Sequence, residues 1–378
     1  MKYYVIAGEA SGDLHGSNLL RALLAADSDA NIRFWGGDLM NEVAVSAKSG
    51  SVEMVRHIRD LAFMGFVEVV SHLSLIMGNI RFCKRDILSY NPDVVVFIDY
   101  PGFNLKIAKY THAHGFRNVF YISPQIWAWK KGRIHPMRRD LDRLCYILPT
   151  ERKFYSENTF PQALFVGHPL LDAVSRYKSH TLDFNDERKV IALLPGSRKQ
   201  ELRRMLPIMT ELTDRHPEYL FCIAGMNLIG EEFYKQYIKT DKSNIRIVYD
   251  RTYDLLASSY AAVVCSGTAT LETLLFRVPQ VVCYRCNRIS AAIARRLVAS
   301  RIKYISLVNL IADCGVVAEL IQNDCNLERL EKEFARITSD SDVRNGMMTS
   351  YDEVISMLGG VGASDRTANE IISIASKK

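Results

Sequence analysis

Strand-length apolar runs that alternate with helical stretches predict an α/β protein of two Rossmann-like domains facing across a cleft. The first block of runs reads YYVIA, IRFWG, DVVVFID, NVFYIS, RLCYILP and ALFVG. A second block repeats the grammar as VIALLPGS, YLFCIAG, IRIVYD, AAVVCSG and QVVCYR. At 378 residues the chain also exceeds what one ordinary core accommodates. In doubly wound sheets ligands sit at the carboxyl ends of the strands, so the cleft between the domains is the expected site.

In chain order, YYVIA runs into Gly8, Gly12 and Gly16 and then into a helical pattern over 17–26. DVVVFID is continuously apolar, the mark of a parallel strand covered on both faces. A helical stretch follows over 104–114. Residues 172–188 are polar and carry no strand, which places a boundary there. The expected domains are 1–172 and 173–345, with a C-terminal helical tail over 346–378. That tail either packs back on the first domain or exchanges with a second chain, and the sequence leaves both open, homodimer included.

Composition narrows the partners. With 48% hydrophobic and 24% charged residues the chain is globular rather than disordered. A net charge of +6 suits phosphate groups or a membrane surface and does not call for nucleic acid. The eight cysteines are scattered, mostly in apolar runs, and Cys283–Cys286 is a lone CxxC without a second pair at zinc spacing. No signal-like segment precedes the first strand and no apolar run is long enough to cross a bilayer. A reduced, cytoplasmic chain that meets membranes only from the surface is expected.

Four constellations carry chemistry. In VIALLPGSRKQE a buried strand ends at Gly196 and Ser197, and Arg198 precedes a helix. Glycine admits close approach of a ligand, helix amides face it, and a guanidinium adds a fork of donors, a set suited to a diphosphate. In VVCSGTATLE the residues Ser266, Gly267 and Thr268 repeat the strand-to-helix junction, with Thr268 or Thr270 placed to cap. Glu272, four residues on, could accept both hydroxyls of a ribose. In PDVVVFIDYPGFN the carboxylate of Asp99 stands just past the apolar strand, placed for acid–base work, while Asn104 can cap the next helix. In IAGEASGDLHG two acids, Glu9 and Asp13, stand where phosphate would be repelled; the loop suits sugar hydroxyls or a positioned base.

The run LAFMGFVEVVSHLSLIM over 61–77 is dense in large apolar residues, among them Phe63, Phe66, Val69, Val70, Leu73 and Ile76. It reads either as a core helix or as a surface for acyl chains. Basic groups at Lys130, Lys131, Arg133, Arg138 and Arg139, and at Arg288, Arg295 and Arg296, could meet anionic headgroups. His112 and His114 have the wrong spacing for one helix face, and no Asp-x-Asp triplet directly follows a buried strand, so no metal site is expected.

Taken together, IAGEASGD, FMGFVEVV, PDVVVFIDYPGFN, YISPQIWAW, FVGHPLLD, LLPGSRKQE, SGTATLE and YISLVNLI resemble the lipid-A-disaccharide synthases, in order, from about residue 3 to about residue 325. The resemblance implies a metal-free, inverting glycosyltransferase of the two-domain GT-B type, without cofactor, acting in Gram-negative lipopolysaccharide synthesis. It would condense UDP-2,3-diacylglucosamine with 2,3-diacylglucosamine 1-phosphate to the β-1,6 disaccharide 1-phosphate and UDP. It implies a peripheral enzyme on the inner face of the inner membrane, with the acceptor and membrane side in the first domain and the UDP-sugar in the second. It also tips the 61–77 run towards an acyl-chain or membrane role.

On that reading Asp99 is the general base, with Glu9 or Asp13 as alternatives that the sequence does not separate. Gly8, Ser11 and Gly12 belong with the acceptor. Gly196, Ser197, Arg198, Ser266, Gly267, Thr268, Glu272 and Asn309 belong with the UDP-sugar. The rivals are a UDP-sugar 2-epimerase on a similar scaffold, which leaves the 61–77 run without a purpose, and a non-enzymatic nucleotide-sensing protein, which leaves Asp99 without one.

Overall fold

The computed structural model describes residues 1–378 except 49, 61–72, 179, 181, 239–242, 288–302 and 378. The chain divides into two compact units, Met1–Ser175 with Leu358–Lys378, and Arg176–Met357. Each is built on its own parallel sheet flanked by helices.

The first sheet holds β1 (Lys2–Ala7), β2 (Asn31–Gly36), β3 (Ser51–His57), β4 (Val94–Ile98), β5 (Arg117–Tyr121), β6 (Arg143–Tyr146) and β7 (Ala163–Phe165), in the order β3-β2-β1-β4-β5-β6-β7. Its helices are α1 (Ala10–Ala26), α2 (Asp38–Ser46), α3 (Leu73–Tyr90), α4 (Pro101–Ala113), α5 (Ile126–Trp129), α6 (Ile134–Asp140), α7 (Glu151–Glu157) and α8 (Leu170–Arg176). β1 and β4 lie side by side, Ile6 against Phe97 and Ala7 against Ile98, so the strand order reverses at their carboxyl ends. Every residue of β4 is buried, as a central parallel strand demands. Tyr4, Ile6, Phe97 and Phe120 pack with Phe103, Ile107 and Ala108 of α4 in one core cluster.

The second sheet runs β10-β9-β8-β11-β12-β13, from β8 (Lys189–Leu194), β9 (Tyr219–Gly225), β10 (Ile245–Tyr249), β11 (Ala261–Cys265), β12 (Gln280–Tyr284) and β13 (Ala318–Ile321). Its helices are α9 (Lys199–Arg215), α10 (Glu231–Lys235), α11 (Thr252–Ala257), α12 (Thr268–Leu275), α13 (Leu307–Ala312), α14 (Leu327–Ser339) and α15 (Ser341–Met357). β8 and β11 are neighbours and mark the reversal of strand order in this sheet. All eight cysteines are free thiols.

Two edge strands go beyond what the sequence pattern predicts. β3 alternates exposed and half-buried residues, and β13 is four residues long with one buried position. An edge strand covered on one side carries too few apolar residues to announce itself. Another difference concerns the glycine-spaced segment after β1. It is helix from Ala10 onward, not loop. A Cβ on Gly12 would sit 3.3 Å from that of Ala7, and one on Gly16 would sit 2.5 Å from the Met40 sulfur. The glycine spacing therefore serves close packing of α1 on β1 and α2.

The last helix, α16 (Ala363–Ala375), belongs to the first unit and lies against α1 and the strands β4 to β6. The buried carboxylate of Asp172 caps it. Oδ1 accepts from the amides of Gly362 at 2.6 Å and Ala363 at 3.3 Å, and Oδ2 from Ser364 at 2.8 Å. Asp172→Ala leaves those buried N–H groups without an acceptor, at a cost of about 1–3 kcal/mol. Native-state hydrogen exchange of the amides at 363–367 should accelerate roughly 10–100-fold while β8 to β13 stay protected. Unchanged exchange in α16 would show that the cap is dispensable.

Candidate active site

At the carboxyl end of β4 the chain makes an uncommon turn. Asp99 and Tyr100, neither of them glycine, both take left-handed backbone angles, φ +46° and +48°. Two such residues in succession carry strain that the surroundings must hold. Asp99 N–H donates to the Tyr121 carbonyl at 3.0 Å. The fully buried amide of Asn104 donates to the carbonyls of Asp99 at 2.7 Å, Ile98 at 3.3 Å and Ile6 at 3.5 Å, tying the ends of β1 and β4 together. Asn104 is thus a brace and not the expected helix cap; α4 starts from Tyr100 with no side-chain cap. Gly8 completes the turn, because a Cβ there would lie 2.3 Å from the Tyr100 ring.

The turn brings Asp99 and Glu9 together. Burial pushes the Asp99 carboxyl up to about 6, the Glu9 charge adds to the rise, and donation from the Tyr100 N–H opposes it. Burial and the same Glu9 charge also raise the Tyr100 phenol. Ser11 is exposed on the first turn of α1 and Gly12 is buried behind it. A carboxylate with an affinity for protons near neutrality, perturbed by a second acid and by no cation, is equipped to take a proton from a hydroxyl.

Asp13 falls outside this group, which corrects its expected place among the catalytic acids. It is buried, and its Oδ1 accepts from the amides of Gly37 at 2.7 Å and Met40 at 3.0 Å, while Oδ2 accepts from Leu39 at 3.0 Å. Its carboxylate caps α2 from the neighbouring helix, with its lone pairs committed to backbone amides.

In the second unit the β8–α9 junction holds Gly196 at φ +107°, a conformation that favours glycine. The amides of Ser197 and Arg198 point at one carboxylate oxygen of Glu201, at 3.1 and 3.3 Å, and the Arg198 guanidinium lies 3.6 Å from the other. An anion-binding corner is thus built, and in this structure a carboxylate of the chain itself occupies it. The negative charge of Glu201 also reaches Cys265 and Tyr284, at the carboxyl ends of β11 and β12. Cys265 immediately precedes the second junction, Ser266-Gly267-Thr268.

There the Ser266 hydroxyl donates to the Ile305 carbonyl at 3.0 Å. Neither Thr268 nor Thr270 caps α12; Gly267 is the cap residue, and the Thr270 hydroxyl donates back to its carbonyl at 2.8 Å. Glu272 accepts from the Tyr253 hydroxyl at 3.0 Å, and burial raises its carboxyl. Tyr253 has no signal in the sequence, because nothing in TYDLLA connects it with a helix residue nineteen positions further on. Asn309 does not line an open pocket. Its side chain donates to Val317 O and Glu319 Oε1 and accepts from the amides of Val316 and Val317, all at 2.9 Å. Its capacity is filled by the fold, another departure from expectation.

Of the apolar run, Phe63, Phe66, Val69 and Val70 lie outside the described residues, as do Arg288, Arg295 and Arg296. Leu73 opens α3. Ile76 packs against the core of the first unit, which corrects its place on an acyl-binding surface, whereas Leu75 and Met77 beside it are 47% and 44% exposed. No helix among the described residues is long and apolar enough to cross a membrane.

The chain matches the Lipid-A-disaccharide synthetase family model over residues 3–369. It is 36% identical to the lipid-A-disaccharide synthase of Syntrophus aciditrophicus over 99% of this chain and 97% of that protein. To the synthase of Nitrosococcus oceani it is 34% identical over 97% and 94%. Among solved structures, an S. aureus MnaA–UDP structure superposes with a TM-score of 0.70 at 13% identity, covering 100% of this chain and 98% of that one. The kitacinnamycin glycosyltransferase gives 0.68 at 13%, covering 99% of each. UDP-GlcNAc 2-epimerase from Neisseria meningitidis gives 0.66 at 11%, covering 99% and 100%. At such identities the structural likeness establishes the fold alone, two Rossmann-like units of GT-B type.

The raised Asp99 carboxyl makes a stability prediction. The folded chain holds its proton more tightly than the unfolded one, so a stability cost builds as pH rises from the ordinary 3.8 to about 6. Asp99→Asn should therefore melt higher than wild type at pH 8, with the gain shrinking through pH 6 and gone below about 4. Glu9→Gln should lower the Asp99 pKa in a carboxyl-carbon NMR titration. An Asp99 that titrates at its ordinary value would remove the argument.

Proposed function

The chain belongs to the lipid-A-disaccharide synthase family of glycosyltransferases, and from that premise we propose that it condenses UDP-2,3-diacylglucosamine with 2,3-diacylglucosamine 1-phosphate. The products are the β-1,6-linked disaccharide 1-phosphate and UDP. The observation that carries the mechanism is Asp99: a half-buried carboxylate on a strained turn, with a proton affinity set near neutrality by burial and by Glu9.

Asp99 takes the proton of the acceptor's 6-hydroxyl as its oxygen bonds to the anomeric carbon of the donor. The bond from that carbon to the diphosphate oxygen breaks, and its electron pair leaves with UDP. Attack opposite the leaving group inverts the anomeric centre. Glu9 and Ser11 bind acceptor hydroxyls, on a segment that Gly8 and Gly12 let pack closely against Tyr100 and Ala7. On the donor side the amides of Gly196, Ser197, Gly267 and Thr268 and the Arg198 guanidinium meet the diphosphate and stabilise the charge that grows on it, while the Ser266 hydroxyl braces the junction through the Ile305 carbonyl. Glu272, steadied by Tyr253, accepts the ribose hydroxyls. The exposed Leu75 and Met77 offer apolar surface, which supports a peripheral place on the inner face of the membrane.

The epimerase reading rests on likeness of fold alone, at 11 to 14% identity, while the relatives above 30% are synthases.

The test is disaccharide formation in neutral detergent micelles. Wild type should form product, and Asp99→Ala should lose at least ~10²-fold in kcat with UDP binding unchanged. The kcat/KM of wild type should fall below about pH 6 with unit slope. An active Asp99→Ala moves the base to Glu9. A wild type that turns over only UDP-N-acetylglucosamine sinks the synthase reading.

A further inference from the structure

The segment leaving β5, through α5 and into α6, carries a concentration of donors and no acid of its own. From Ile122 to Arg139 the sequence contains Lys130, Lys131, Arg133, Arg138 and Arg139 and no Asp or Glu. The later arginines are engaged: Arg139 pairs with Asp140 at 2.6 Å, and Arg138 donates to the carbonyls of Asn158 and Thr159 at 3.4 and 3.3 Å. Arg133 differs. Its guanidinium is half-buried and makes no hydrogen bond or ion pair among the described residues. Burial pushes it down, with no acid to offset the cost, and its charge in turn lowers Lys130 beside it.

A second donor in the same segment is also unanswered. The indole N–H of Trp127 is buried and has no acceptor among the described residues. Buried donors are almost always satisfied, and a half-buried guanidinium without a counter-charge is costly. The segment is not loosely held, since Ile126 and Ile134 at its two ends are buried in the core of the unit. It departs from the strand end that touches the candidate base: Tyr121, the last residue of β5, accepts the Asp99 amide, and the chain turns sharply at Ile122, φ +65°.

We propose that Arg133, with the Lys130 ammonium and the Trp127 indole N–H, forms a phosphate subsite that takes the 1-phosphate of the acceptor sugar. This rests on the proposed function, which supplies an acceptor with a phosphate monoester. The donor's diphosphate has its own amides in the second unit. An exposed polybasic patch would suit a lipid headgroup, whereas a half-buried guanidinium and a buried N–H without an acceptor, six residues apart in one segment, suit one phosphate held in place. Fixing the phosphate at C1 also restricts where the 6-hydroxyl can lie, since C5, which bears it through C6, flanks the same ring oxygen as C1.

The test uses the full chain in neutral detergent micelles, with 2,3-diacylglucosamine 1-phosphate and with the same sugar lacking its phosphate. Arg133→Gln should raise the KM for the phosphorylated acceptor ~10-fold or more with kcat little changed, and Arg133→Lys should recover part of it. The acceptor without phosphate should be used equally by wild type and Arg133→Gln. The subsite is overturned by an unchanged KM, by an equal loss on both acceptors, or by a loss confined to vesicles of anionic lipid, which would assign Arg133 to headgroups. Equilibrium binding of the phosphorylated acceptor to wild type and Arg133→Gln separates the two claims. A wild type that binds it through Arg133 yet forms no disaccharide keeps the subsite and loses the reaction.

Discussion

The first unit depends on one buried amide. Asn104 donates to the carbonyls at the ends of β1 and β4 and so holds Asp99 and Tyr100 in left-handed backbone that their own preferences oppose. Its Oδ1 is left buried and without a partner among the described residues. Such an arrangement commits side-chain hydrogen bonding to geometry rather than to stability. What it secures is the direction of the Asp99 carboxylate, and everything proposed for this unit needs that direction. Gly8 is the other half of the same constraint, since any side chain there would displace Tyr100 and with it the turn.

The two units divide the electrostatic labour. The first holds Asp99 half-buried beside Glu9, which raises the affinity of Asp99 for a proton and suits it to a hydroxyl. The second aims backbone amides and a guanidinium at one point, which suits it to an anion. Glu201 occupies that point here, accepting from the Ser197 and Arg198 amides. A carboxylate resembles one phosphate oxygen pair, and here, as the third residue of α9, it closes a capping box with the amides that the proposed diphosphate would need. A diphosphate brings more charge than a single carboxylate and so competes for the same amides.

Much of this arrangement is legible in the sequence. Central strands such as VVVFI and AAVVC are buried on both faces and must be apolar throughout, so they stand out. Asp99 is legible for the same reason, as an acid set at the end of a strand that tolerates none. The edge strands SVEMVRH and AELI are not, because half of each faces away from the core. Asp13 misleads because its partners, Gly37 to Met40, lie 24 to 27 residues away and their relation to α1 exists only once the sheet has formed. Asn309 misleads in the same manner: Val316, Val317 and Glu319 fill its hydrogen-bonding capacity from beyond its own helix. A polar residue near a motif can be a ligand or a brace, and spacing along the chain does not distinguish them.

The distinction is made by what remains unsatisfied. Asp13, Asp172, Asn309 and Glu319 are buried or half-buried polar groups whose partners are supplied by the fold, so they stabilise it and ask for nothing further. Asp99 is different, because its burial costs stability at neutral pH and no cation among its perturbing neighbours offsets the cost. Arg133 and the Trp127 N–H are different in the opposite sense, as donors with no acceptor among the described residues. Groups of this kind persist in a folded chain when a ligand completes them. A proton-seeking carboxylate and an anion-seeking guanidinium on adjoining stretches of one unit would together suit the molecule proposed above, which carries both a hydroxyl and a phosphate.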